Sequence, residues 1–336
     1  MIREYLKLAR ISIAPITGLA PVMSALATGN YQVFHLLLLF LMGILVHNYG
    51  ITHNDLIDYT IDKNAKEITD RPLVSGTISK RKAWVFALGC LFVMFVLAVF
   101  LATSTQQYLP LITVFITVVC VTLYNLISKK IPFADSILAI GMFFFILYGA
   151  LSQIPQINQL PFLVWIMCSL GAIQLFSMNL ISGGFKDIEN DKRLGAKTGA
   201  VLLGLRITNE RLYIPSYFKL IAYSLQLINI SIAYLPFLLI PDFTPAIPLR
   251  YLQLGLITAV SISMIFFSHK YLNLSYFERG TIRKLINLHG YINFALAPIL
   301  LMSITPFAII IVIIPGIGFV ISNLLLHEKF MEPSTM

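Results

Sequence analysis

Asn54-Asp55-Leu56-Ile57-Asp58-Tyr59-Thr60-Ile61-Asp62 gathers three carboxylates and an amide at the end of an apolar run. A membrane span needs about 20 predominantly apolar residues, and the run over 33–52 that leads into this stretch meets that length. Asn54, Asp58 and Asp62 are four apart and Asp55 stands three before Asp58, so on a helix they form a stripe that drifts slowly round the axis. Carboxylates crowded at a membrane boundary repel one another unless a cation neutralises them. Hard divalent cations such as Mg²⁺ take oxygen ligands and commonly bridge to phosphates. A second cluster, Asp187-Ile188-Glu189-Asn190-Asp191, also follows a long apolar run and sets Asp187 and Asp191 at i, i+4. Two such rows facing each other would hold a diphosphate through metal ions, whereas either row alone also fits a solvated helix end.

The rest of the chain supplies the membrane. Of 336 residues 58% are hydrophobic and 12% charged, about half the charged share of an ordinary soluble domain. Candidate spans fall at about 11–29, 33–52, 83–104, 108–127, 133–152, 161–182, 217–240, 251–273, 285–303 and 306–326, with the last two divided only by Ser303-Ile304-Thr305-Pro306. With ten spans and the N-terminus inside, 23 of the 24 Lys and Arg residues fall on the inner side and only Arg250 falls outside. This asymmetry follows the positive-inside rule, and it explains the net charge of +9 as orientation in a bilayer rather than affinity for nucleic acid. The three cysteines, Cys90, Cys120 and Cys168, lie in apolar runs and read as packing residues, not disulfides or zinc ligands. No cleavable signal is evident after the basic Met1–Arg10 segment.

Both acidic clusters then face the cytoplasm, in inner loops at about 53–82 and 183–219 that together hold nine of the fifteen acidic residues. The first loop continues as Asp70-Arg71-Pro72-Leu73-Val74-Ser75-Gly76, where Arg71 offers a guanidinium fork suited to phosphate and Pro72 with Gly76 imposes a turn. The fourth span ends in Tyr124-Asn125-Leu126-Ile127-Ser128-Lys129-Lys130, which fits either a phosphate contact or an interfacial anchor. The second cluster is flanked by Lys186 and Lys192 and followed by Gly195-Ala196-Lys197-Thr198. The six histidines show no ligand spacing, and His53 is read as facing the loop beside the first motif.

Asn54-Asp55-x-x-Asp58-x-x-x-Asp62, the sequel Arg71-Pro72-Leu73-Val74-Ser75-Gly76, and Asp187-x-x-x-Asp191-x-x-x-Gly195 resemble, in order and spacing, the UbiA superfamily of intramembrane prenyltransferases. The resemblance implies an all-α, polytopic transmembrane helix bundle of nine helices, with the tenth apolar segment as an extra C-terminal helix. It implies one integral membrane domain over 1–336, Mg²⁺ as cofactor, an isoprenyl diphosphate and a prenyl acceptor as partners, and a place in the cell membrane. By motif, Asn54, Asp58, Asp62, Asp187 and Asp191 would serve as metal ligands, the four aspartates being the catalytic set. Arg71, Tyr124, Lys129, Lys192 and Arg10, which looks like the family's first-helix arginine, would contact substrate. The family's Tyr-x-x-x-Lys pattern is not met, because Ser128 occupies the fourth position after Tyr124 and Lys129 the fifth.

The resulting expectation is Mg²⁺-dependent transfer of a polyprenyl group. Two acceptors stay open. The eight residues between Asp62 and Arg71 look like 4-hydroxybenzoate-type members, whereas Lys186-Asp187-Ile188-Glu189 and Gly195–Thr198 look like members that prenylate geranylgeranylglyceryl phosphate. A terpene cyclase would use the same metal site without an acceptor. A transporter would need ionisable groups along its spans, and here the charge is concentrated in the loops.

Overall fold

The computed structural model describes residues 2–29, 31–63, 71–154 and 156–327. In chain order the helices are α1 (Ile2–Leu8), α2 (Ala14–Ala27), α3 (Val33–Ile57), α4 (Tyr59–Asp62), α5 (Lys80–Thr105), α6 (Leu109–Ile127), α7 (Asp135–Leu151), α8 (Phe162–Ser177), α9 (Gly184–Arg193), α10 (Gly199–Leu202), α11 (Ser216–Leu239), α12 (Ile247–Leu272), α13 (Arg279–Phe294), α14 (Leu296–Leu301) and α15 (Ile313–His327). A lipid environment cannot hydrogen-bond a backbone, so apolar runs of this length satisfy their own N–H and C=O groups as helices. Seven helical stretches among the described residues are long and apolar enough to cross a membrane, and α2 and α7 are apolar but shorter. The all-α multi-pass fold is therefore present. Among the described residues a two-stranded hairpin is added to it, β1 (Arg206–Thr208) paired antiparallel with β2 (Arg211–Tyr213).

One span differs from expectation. The run at 285–303 is not a single helix: α13 ends at Phe294 and α14 restarts at Leu296. Pro298 stands four residues after Phe294, where its missing N–H and its ring disrupt the helical bond to that carbonyl. The last span begins as a tight 3₁₀ turn at Pro306–Val312 before α15.

The chain divides into two compact units. The first holds residues 1–126, 144–160 and 313–336. Within it α2, α3 and the second half of α7 approach closely: a Cβ on Gly149 would lie 1.9 Å from the Pro21 carbonyl oxygen, so only glycine permits that contact. A small core of Leu8, Leu56, Leu73, Ile78 and Ala83 packs beneath the first acidic stretch. The second unit holds residues 127–143 and 161–312. Its core, which includes Phe185, Ile188, Phe218, Tyr271 and Ile282, is built around α9. Here Phe185 and Ile188 of the second acidic helix are buried, and so is Asp191.

Candidate active site

The first acidic stretch sits where α3 ends. Helical hydrogen bonding carries on through it, from Asp58 N to the Asn54 carbonyl and from Asp62 N to the Asp58 carbonyl, each 2.9 Å. That continuity puts Asn54, Asp58 and Asp62 on successive turns, and Asn54 Nδ2 lies 3.4 Å from Asp58 Oδ2. Asp58 is buried. Arg71 donates to Asp62 Oδ2 through Nη1, and the same nitrogen lies 3.5 Å from Asp55 Oδ1. Asp55, 4% exposed, also accepts from Arg10 Nη2 at 2.6 Å. The result is a continuous chain, Arg10–Asp55–Arg71–Asp62, in which both sequence-predicted arginines are already engaged by carboxylates of the motif.

Arg10 reaches Asp55 from a turn with φ 45°, in the left-handed region that a non-glycine residue seldom adopts. The preceding carbonyl, Ala9 O, is 3.1 Å from His47 Nε2 on α3, and the His47 Nδ1 is 3.2 Å from Thr17 Oγ1. The turn is thus tied to the helix that carries Asp55. Residues 64–70, among them Asp70 of the Asp70-Arg71-Pro72 sequence, lie outside the described residues.

The second motif stands on α9, which follows α8 through a π-helical stretch at Met178–Gly183. Such wide turns re-aim the following residues and are frequent at functional sites. Lys129 Nζ donates to Asp191 Oδ1 at 2.7 Å, and Asp191 is buried. The turn carrying Lys129 is fixed by the Lys197 N–H, which donates to the Lys129 carbonyl at 2.9 Å. Gly195, at φ 66°, lets the chain turn back so that Ala196 N caps the Asp191 carbonyl at 2.9 Å. Asp187 lies 3.8 Å from Arg279 and 3.9 Å from Lys186. Burial, with the charge of Arg283 adding to it, pushes the Arg279 guanidinium down to about 10, so it remains cationic at neutral pH.

The structure therefore brings Asn54, Asp58, Asp62, Arg71 and Arg10 together in the first unit, and Asp187, Asp191 and Lys129 in the second. Lys192 is exposed, one residue beyond Asp191 and so turned about 100° from it on the helix. Tyr124 is half-buried on α6, and its neighbour Asn125 links to the first motif's helix, donating to the Gly50 carbonyl at 2.9 Å and lying 3.0 Å from His53 Nδ1. His53 does not face the loop. It is buried, stacked on Tyr49 and edge-on to Trp84.

Sequence reasoning left Asp55 out of the site and did not single out Arg279. Asp55 had a signal, since it stands seven residues before Asp62 and two helical turns place such residues on one face. Arg279 had the weaker signal of a base followed at i+4 by Arg283.

The donor set is oxygen only. Among the described residues no three His, Cys, Asp or Glu side chains converge as a ready-made metal site. Mg²⁺ fits this arrangement, because it is commonly bound by one or two carboxylates and completes its shell with water and substrate phosphates.

Long apolar helices carrying two motifs of carboxylates paired with cations define a multi-pass membrane protein. The chain belongs to the UbiA prenyltransferase family, whose profile matches residues 14–291. Over 243 residues it is 28% identical to a 4-hydroxybenzoate octaprenyltransferase from Albidiferax ferrireducens, covering 70% of this chain and 75% of that protein. Over 172 residues it is 25% identical to a 4-hydroxybenzoate octaprenyltransferase from Vibrio vulnificus, covering 51% of this chain and 57% of that protein. The match thus spans less than two thirds of the Vibrio protein's length. Among solved structures, one described as digeranylgeranylglyceryl phosphate synthase superposes with a TM-score of 0.62 at 21% identity, over 92% of this chain and 99% of that one. A UbiA homolog from Archaeoglobus fulgidus bound to GPP and Mg²⁺ superposes with a TM-score of 0.60 at 18% identity, over 89% and 99%. At these identities the likeness establishes the fold.

Proposed function

We propose that the chain, acting as one domain over 1–336, transfers a prenyl group from an isoprenyl diphosphate to an acceptor and depends on Mg²⁺ to do so. The observation that carries this reading is that each acidic motif holds its own cation: Arg71 on Asp62 and Lys129 on Asp191. In each, a carboxylate that can ligate a metal already positions a donor suited to phosphate. Asn54, Asp58, Asp62, Asp187 and Asp191 supply the oxygen ligands. Arg71, Lys129 and Arg279 donate to diphosphate oxygens, and Arg10 keeps Asp55 and the first motif in place. Bound Mg²⁺ would neutralise the leaving diphosphate and so ease ionisation of the allylic C–O bond. The apolar helices around the motifs exclude the water that would quench an allylic cation.

The acceptor is an aromatic of the 4-hydroxybenzoate type or a lipid of the geranylgeranylglyceryl phosphate type. The names of the curated relatives support the first, and the digeranylgeranylglyceryl phosphate synthase structure supports the second. The distribution of bases supports the cell membrane as location, with both motif loops on its cytoplasmic side.

Incubating the purified protein with radiolabelled geranylgeranyl diphosphate, Mg²⁺ and each acceptor tests this reading. A prenylated product from one acceptor, abolished by EDTA and restored by Mg²⁺, is expected. Full activity after exhaustive EDTA treatment, or a cyclised hydrocarbon formed equally without acceptor, would overturn it.

A further inference from the structure

The first unit carries a groove of about 760 Å³ that none of the motif residues lines. Its walls come chiefly from α1 and α5, with Ala9 and α3's Asn48 also lining it: Tyr5 and Leu6 stand on one side, Val85 and Phe86 on the other, with Arg81 and Lys82 where α5 begins. The groove is built rather than incidental. Tyr5 and Phe86 pack with ring centroids 5.1 Å apart, and Arg3 Nη2 donates to the Leu326 carbonyl at 3.0 Å, so α1 is anchored at both faces. Val85 is 67% exposed and Leu6 36%. Arg81 and Lys82 are exposed and have no ion-pair partner among the described residues.

We propose that this groove binds an anionic phospholipid, its phosphate held by Arg81 and Lys82 and an acyl chain lying along Leu6, Val85 and Phe86. An apolar trough ending in two cations matches an amphiphile with an anionic head, and basic residues at a membrane surface attract anionic lipid. An isoprenyl diphosphate shares that chemistry. It would come with Mg²⁺, however, and no carboxylate lines the groove to receive the metal.

Native mass spectrometry of the full chain in mild detergent, titrated with dioleoyl phosphatidylglycerol or dioleoyl phosphatidylcholine, tests the assignment. Phosphatidylglycerol is expected to be retained in preference to phosphatidylcholine. The double variant Arg81→Gln/Lys82→Gln is expected to bind it roughly thirty-fold more weakly, from the usual contribution of two surface cations. Val85→Trp, which fills the trough and leaves both charges intact, is expected to weaken it as well. Equal retention of the two lipids, unchanged binding in both variants, or displacement of phosphatidylglycerol by geranylgeranyl diphosphate without Mg²⁺ would each overturn the proposal. None of these outcomes depends on prenyl transfer, so the lipid site can fail while the proposed reaction stands.

Discussion

Asp55 shows what a single carboxylate does in this protein. It is buried between two guanidinium groups, and removing one member of such a set leaves the others charged and desolvated. Asp55→Ala is therefore expected to cost about 3–5 kcal/mol of stability, read as a lowered midpoint of unfolding in detergent, with Asp55→Asn falling between. A midpoint equal to wild type would show that Arg10 and Arg71 find water instead. Asp58 and Asp187, as proposed metal ligands, predict a different signature. Asp58→Ala and Asp187→Ala are each expected to lower turnover at least ~100-fold, the usual loss when a site built on electrostatics is deprived of one group, while extraction and unfolding stay near wild type. Near-normal, Mg²⁺-dependent turnover in both would remove the paired-carboxylate site. Much of this scale was legible beforehand, because charge amid apolar sequence is conspicuous and helical spacing groups it. The division of labour was not. Asp55 and Asp58 are both aspartates of one motif, and the arrival of Arg10 from a separate turn is what singles out Asp55.

Elements obey the same logic at longer range. Hydropathy located the spans because a bilayer allows only self-satisfied helices, but it averages over backbone detail. That is why the run at 285–303 reads as one span although Pro298 within it signals a kink, and why the wide turn at Met178–Gly183 had no signature at all. The end of α9 depends on one backbone conformation. Gly195 has φ 66°, and nothing lies within 4 Å of where its Cβ would be, so a substitution there meets no clash and tests the backbone alone. Gly195→Ala is expected to destabilise by roughly 1–2 kcal/mol, the cost of the left-handed conformation for an L-residue. It is also expected to lower activity beyond the loss of folded protein, because the turn caps the Asp191 carbonyl. Activity per folded molecule equal to wild type would separate the cap from the site.

At the scale of the whole molecule, the two compact units were not legible, since they are defined by contacts between distant stretches that leave no periodic mark. Orientation, by contrast, is proposed from composition: 23 of 24 bases fall to one side of the expected spans, the side that the positive-inside rule assigns to the cytoplasm. The proposed chemistry requires this sidedness, because both carboxylate motifs must meet an isoprenyl diphosphate from the same compartment. Ser75, after the first motif, and Thr208, on β1 after the second, are exposed, as is Gln156 in the connection after α7. The native Cys90, Cys120 and Cys168 are buried, which makes their replacement by alanine or serine a usable background. Single cysteines at Ser75 and Thr208 are expected to react with a membrane-impermeant maleimide only when the cytoplasmic face is open to it, as in inverted vesicles. A cysteine at Gln156 is expected to react only in intact cells or right-side-out vesicles. If positions 75 and 208 label from opposite sides, a membrane separates the two motifs, and no arrangement of Mg²⁺ and diphosphate can engage both.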